Sequence, residues 1–78
     1  MRMTDERIHV LEVVEALGGV STYGRLRAAA HRRALRSLRD TVTALRNQGM
    51  LRQYAIGHYT IASEGRAGLR SHFMQRAG

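Results

Sequence analysis

The 78 residues contain no cysteine, so disulfides and thiolate metal sites are both excluded. Lysine is missing too, and all thirteen basic residues are arginine. No apolar run approaches the ~18 residues of a membrane helix, and nothing in the sequence reads as a signal peptide. A soluble, cytoplasmic protein with no membrane partner is therefore expected. Material for catalysis is equally thin. The four histidines, at 9, 31, 58 and 72, show neither HxH nor HxxxH spacing, so no metal site is expected. No glycine-rich loop follows a strand pattern to cradle a nucleotide, and no cofactor or small-molecule ligand is implied. Beyond the first twenty residues the only acids are Asp40 and Glu64, poor material for a carboxylate pair. No enzyme is expected.

What is present is charge, unevenly placed. Six acids oppose thirteen arginines, for a net charge of +7. Residues 1–20 hold two arginines and four acids, net −2, whereas residues 21–78 hold eleven arginines and two acids, net +9. A compositional bias toward arginine explains the choice over lysine but not the segregation. One pole this basic points to a polyanion, because neutralising phosphates releases counterions. At this length about 60–65% of the unfolded surface can be buried, enough for one modest core.

The clearest element runs from Leu35 to Leu51. Leu35, Leu38, Val42 and Leu45 fall on one face of a helix, with Arg36, Asp40, Thr43 and Asn47 opposite and Arg39 and Arg46 on the flank. Ser37 with Asp40 fits a short capping box, and Gly49 stands where a helix closes in a left-handed turn. Upstream, Thr4 can cap a first helix whose buried stripe is Val10, Val13, Val14 and Leu17, with Leu11 at its edge. Ile8 falls among the polar residues of that wheel, either as a partner surface or as an ordinary exposed aliphatic residue. Gly18-Gly19 ends the helix.

Val20 and Ser21 read as a brief extended piece. Ser21 or Thr22 then caps a short second helix with Tyr23, Leu26 and Ala30 on one face. No proline or glycine forces a break before the next helix. One continuous helix over 22–48 would nevertheless turn Tyr23 and Leu26 away from Leu38 and Val42, so a turn near 31–36 is expected. After Gly49 the period changes. Tyr54, Ile56, Tyr59 and Ile61 read as strand residues around Gly57-His58, a type II′ hairpin signal. A last helix from Ser63 carries Leu69 and Phe73 at i, i+4.

This order resembles the winged helix-turn-helix family of DNA-binding domains, especially small bacterial and phage transcriptional regulators of the MarR and PadR kind. Two patterns carry the resemblance. One is the L-x-x-x-G-x-L ending of the third helix, here Leu45-Arg46-Asn47-Gln48-Gly49-Met50-Leu51. The other is the Y-x-L-T-x-x-G-R ending of the wing, here Tyr59-Thr60-Ile61-Ala62-Ser63-Glu64-Gly65-Arg66. The match spans about residues 5–66. It departs from the family at Ala62, where threonine is common, and in a connection between helices two and three that lacks the usual glycine. The wing is short, which argues against deep minor-groove insertion.

The resemblance implies a mainly α fold with a small β-hairpin: a three-helix core, a short two-stranded wing and a C-terminal helix. It divides the chain into a DNA-binding domain at 1–66 and a C-terminal helix or tail at 67–78 that could dimerise. It implies double-stranded DNA as partner, transcription regulation as function, a homodimer, and a nucleoid-associated location. The third helix would enter the major groove, bringing Arg36, Ser37, Arg39, Asp40 and Thr43 to base edges or phosphates. Asp40 could equally serve only as a cap partner, and Arg39 could simply pair with Asp40 or Thr43. Arg25, Arg27, Arg32, Arg33 and Arg46 would grip phosphates, which fixes position but not sequence. Tyr23 would offer its hydroxyl to a phosphate or its ring to the core. Arg52, Gln53 and His58 are the polar residues of the wing. Two other functions fit the same pattern: an architectural, excisionase-like DNA binder, and a winged module that binds a protein.

Overall fold

The computed structural model describes residues 3–77. Met1 and Arg2 of the 1–66 segment, and Gly78 of the 67–78 segment, lie outside the described residues. The fold is mainly helical with one small three-stranded antiparallel sheet.

Helix α1 (Asp5–Ala16) starts where the Thr4 hydroxyl accepts the Arg7 N–H at 3.3 Å, with Asp5 and Glu6 complementing the positive helix end. It stops at Gly18 and Gly19, both at positive φ (98° and 85°). The helix runs through the middle of the molecule, touching elements from all parts of the chain. Ile8, Val10, Leu11, Val13 and Val14 are all buried on it. Ile8, expected among exposed polar residues, is only 4% exposed. A helix covered on several sides needs a wider apolar face than one stripe supplies.

Strand β1 (Val20–Thr22) is more than an extended link: it pairs with a later strand and makes the expected two-stranded hairpin a three-stranded sheet. Thr22, rather than Ser21, caps α2 (Tyr23–Ala29), accepting the Arg25 N–H at 3.1 Å. The Ser21 hydroxyl is buried and donates to the Thr22 carbonyl.

Between α2 and the long helix the backbone goes extended at Ala30 and His31 (ψ 150° and 151°) with no glycine or proline to cause it. The His31 N–H leaves the helical ladder and donates instead to Nε2 of His9 at 3.1 Å. The expected turn near 31–36 contains a one-turn helix of its own, α3 (Arg32–Leu35), so Leu35 is not on the long helix and stands exposed.

Helix α4 (Leu38–Asn47) buries Leu38, Thr41, Val42 and Leu45. The expected Ser37–Asp40 capping box is absent: Ser37 makes no side-chain cap bond, and the start is held by the Thr41 N–H donating to the Ser37 carbonyl at 2.7 Å. The end is as read. With Gly49 at φ 78°, Gly49 N–H donates to Arg46 O (3.1 Å) and Met50 N–H to Leu45 O (2.9 Å), the two bonds of a Schellman closure.

Strands β2 (Leu51–Ala55) and β3 (His58–Ile61) form a hairpin, and the sheet order is β1-β3-β2. The turn sits one residue earlier than expected. Ile56 and Gly57 make it, and only Gly57 has positive φ (71°). A II′ turn needs positive φ at its first central residue, which an isoleucine would not tolerate. A register shift between Gln53 and Ala55 absorbs the difference. Helix α5 (Ser63–Ala77) then packs on α1, with Leu69 in the same core as Leu11, Leu26, Leu45 and Leu51. The Gly65-Arg66 pair is structural: Gly65 lies against the Met50 carbonyl, and Arg66 Nε donates to Glu15 at 2.9 Å. No helix among the described residues is long and apolar enough to cross a membrane.

Candidate nucleic-acid interface

Because α4 buries Leu38, Val42 and Leu45, the residues one position on are carried to its rim. Arg39, Thr43 and Arg46, spaced i, i+4, i+7, form a strip along the side facing the hairpin. In β2 and β3 the two-residue period does the same. Gln53 pairs in register with Tyr59, on the face that also carries Leu51 and Ile61. The strip and the hairpin line an open hollow of ≈ 320 Å³, together with Tyr23 of α2 and with Ile56 and Gly57 of the turn.

Both arginines of the strip are held. The Arg39 guanidinium lies over the Tyr23 ring, 5.7 Å from its centroid. Arg46 donates to the Gln53 amide oxygen at 2.7 Å. Each keeps further N–H donors, since a guanidinium has five. The alternative in which Arg39 simply pairs with Asp40 or Thr43 is not seen among the described residues, and its guanidinium contacts Tyr23 instead. Among the described residues no acid lines the hollow.

Most of the other sequence candidates do not line this hollow. Ser37 and Asp40 line a separate hollow with Thr4, Glu6 and Arg7, on the α1 side of α4. Asp40 therefore borders the α1 side of α4, near Glu6 and Arg7, and does not line the hollow of Arg39, Thr43 and Arg46. Arg33 lines a third hollow beside Asp5, Glu6, His9 and His31. Arg25 and Arg27 on α2, Arg32 on α3 and Arg36 between α3 and α4 are exposed, and none has a carboxylate partner among the described residues. Arg52 pairs in register with Thr60 and so shares the opposite sheet face from Gln53. It borders, with Arg46, an open trough along the sheet edge. His58 is not at the tip; it begins β3, half-buried, with its ring 5.7 Å from that of Tyr54.

Ile56 and Tyr59 belong to the hollow but were not among the expected binding residues. The two-residue period linking Tyr59 to Ile61 carried the signal for Tyr59. Nothing local marked Ile56, whose place depends on where the turn falls.

On the far side, His9 and His31 stack with ring centroids 4.5 Å apart. The His9 pKa lies below its ordinary value because of burial and the neighbouring His31, with Glu12 opposing. Among the described residues no group of three or more His, Cys, Asp or Glu is placed to hold a metal ion. No protein-family model, curated protein or solved structure matches this chain.

Proposed function

We propose that this chain is a winged helix-turn-helix domain that binds double-stranded DNA, with α4 in the major groove and the β2–β3 hairpin as its wing. The observation that supports this most is the strip of Arg39, Thr43 and Arg46 facing the hairpin across a hollow without acids. The succession α1-β1-α2-α3-α4-β2-β3-α5 and the strand order β1-β3-β2 accord with it. Arg39 and Arg46 are the residues for guanine edges or phosphates, and the Thr43 methyl for thymine. Arg25, Arg27, Arg32, Arg36 and Arg52 supply phosphate contacts around them.

A small domain with one short reading helix gains specificity by acting in pairs. A homodimeric transcriptional regulator on a two-fold site is the fuller form of the proposal. Phe73 and Met74, exposed on α5 beyond the buried Leu69, are the surface for the second copy. Ile8 is not, being buried.

The test is fluorescence anisotropy with duplex DNA over a salt series. Arg39→Ala should weaken binding ~5- to 100-fold, the cost of one bidentate base contact, while Asp40→Asn should leave it equal or tighter. Loss of binding in D40N with none in R39A would place the interface on the α1 side and overturn the reading.

A further inference from the structure

Ile56 has no packing role in the folded chain. It is 94% exposed at the tip of the hairpin, in a turn, where Gly, Pro, Asn, Asp and Ser dominate. Tyr54 beside it is 62% exposed. The tip is held in place, because the Gly57 carbonyl accepts the Tyr23 N–H at 2.7 Å. Ile56 also stands at a junction. It borders the hollow of Arg39, Thr43 and Arg46, and it borders the trough of Arg46 and Arg52. Among the described residues no acid lines either one.

We propose that Ile56 is the apolar contact of the DNA interface, buried against deoxyribose walls and base edges beside the groove that α4 occupies. This rests on the reading that the face of α4 and the wing takes duplex DNA. An apolar protein surface would leave Arg46 and Arg52 next to it without counter-charge. A duplex sets charged phosphates beside apolar sugar walls, so an aliphatic tip that shares its two hollows with arginines matches that mixture of charged and apolar groups. The tip is already ordered, so its burial carries little conformational cost.

The experiment compares the full chain with Ile56→Ala on one duplex, by anisotropy over a salt series and by hydroxyl-radical footprinting of the sugars. Thermal denaturation should be the same for both, since Ile56 is exposed. I56A should bind about ten-fold more weakly at every salt concentration, as expected for losing most of one buried aliphatic side chain. The slope of log K against log salt should not change, because no phosphate contact is removed. A patch of protected sugars flanking the α4 footprint should disappear. Equal affinity and an identical footprint for I56A would overturn the proposal and leave the tip to a protein surface. If neither chain binds duplex even at low salt, the DNA reading itself fails and this proposal falls with it.

Discussion

Two glycines three residues apart on α5 should respond to the same substitution with opposite signs. A Cβ at Gly65 would run into the Met50 carbonyl and stand 2.9 Å from Ile61 Cγ1 and 3.3 Å from Leu11 Cδ2. The Met50 carbonyl cannot retreat freely, because it accepts the Ala62 N–H at 2.9 Å, the bond that leads the chain from β3 into α5. Gly65→Ala should therefore cost ~1–3 kcal/mol for overpacking, plus about 1 kcal/mol for straining that hydrogen bond. The gain in helix propensity returns at most about 1 kcal/mol. A net loss of ~1–3 kcal/mol follows. At ~4–8 °C per kcal/mol for a domain of this size, that lowers the Tm by roughly 5–20 °C. At Gly68 the nearest atom is the Met50 methyl at 3.6 Å, ordinary contact distance. Gly68→Ala should keep the propensity gain and raise the Tm by a few degrees. Thermal and urea unfolding followed by far-UV circular dichroism measures both. A G65A chain as stable as G68A would refute the packing of α5 onto the Met50 turn.

Further outcomes follow from the side-chain geometry. His9 must be neutral at Nε2 to accept the His31 N–H, and its folded pKa is depressed below the ordinary 6.5 by burial and by His31. A depressed histidine pKa means that the unfolded chain binds the proton more readily. The contribution is therefore present above about pH 6.5 and is lost as pH falls from there toward the folded pKa. Urea midpoints should fall between pH 7.5 and 5.5 in the native chain, and by less in His9→Gln; equal pH dependence would remove His9 as the cause. Tyr23→Leu keeps apolar bulk but removes the ring under Arg39. It should weaken duplex binding about 2- to 5-fold in anisotropy titrations, the range for an exposed cation–π contact, and an unchanged affinity would dismiss that role. The Arg66–Glu15 pair is about half-exposed on both sides (54% and 42%), so Glu15→Gln should shift stability by less than about 0.5 kcal/mol. A larger loss in chemical denaturation would mean that the pair does more than surface pairs normally do.

Much of the fold was legible where the rule is local. The Thr4 cap, the Gly18-Gly19 stop and the Gly49 closure depend on a few neighbouring residues, and each stands where the sequence puts it. The features that escaped depend on distant partners. Ile8 is buried because other helices cover the side of α1 that the wheel made polar. The Ala30–His31 break is held by His9, twenty-two positions away in sequence. β1 becomes a strand only because β3 lies beside it. The hairpin turn shifted because a local Gly-His signal competes with register, and Leu51 opposite Ile61 fixes register by burial. The site was legible in type and less so in membership. Arg39, Thr43 and Arg46 share a strip because burial of Leu38, Val42 and Leu45 sets the rotation of α4. Asp40 and Thr43 stay neighbours on the helix surface, as the wheel has them, and packing decides that Asp40 borders the hollow on the α1 side and Thr43 the hollow on the hairpin side. Leu35 misled that wheel, since it belongs to α3.

The central claim is that the face of α4 and the wing reads duplex DNA. Selection of bound duplexes from a randomised pool at two salt concentrations, with sequencing of the retained fraction, tests it most directly. The native chain should enrich a motif with two-fold symmetry at the higher salt, and a chain carrying Arg39→Ala and Arg46→Ala should enrich none. Retention that vanishes at higher salt without any enriched motif, or a motif that survives in the double variant, would contradict it.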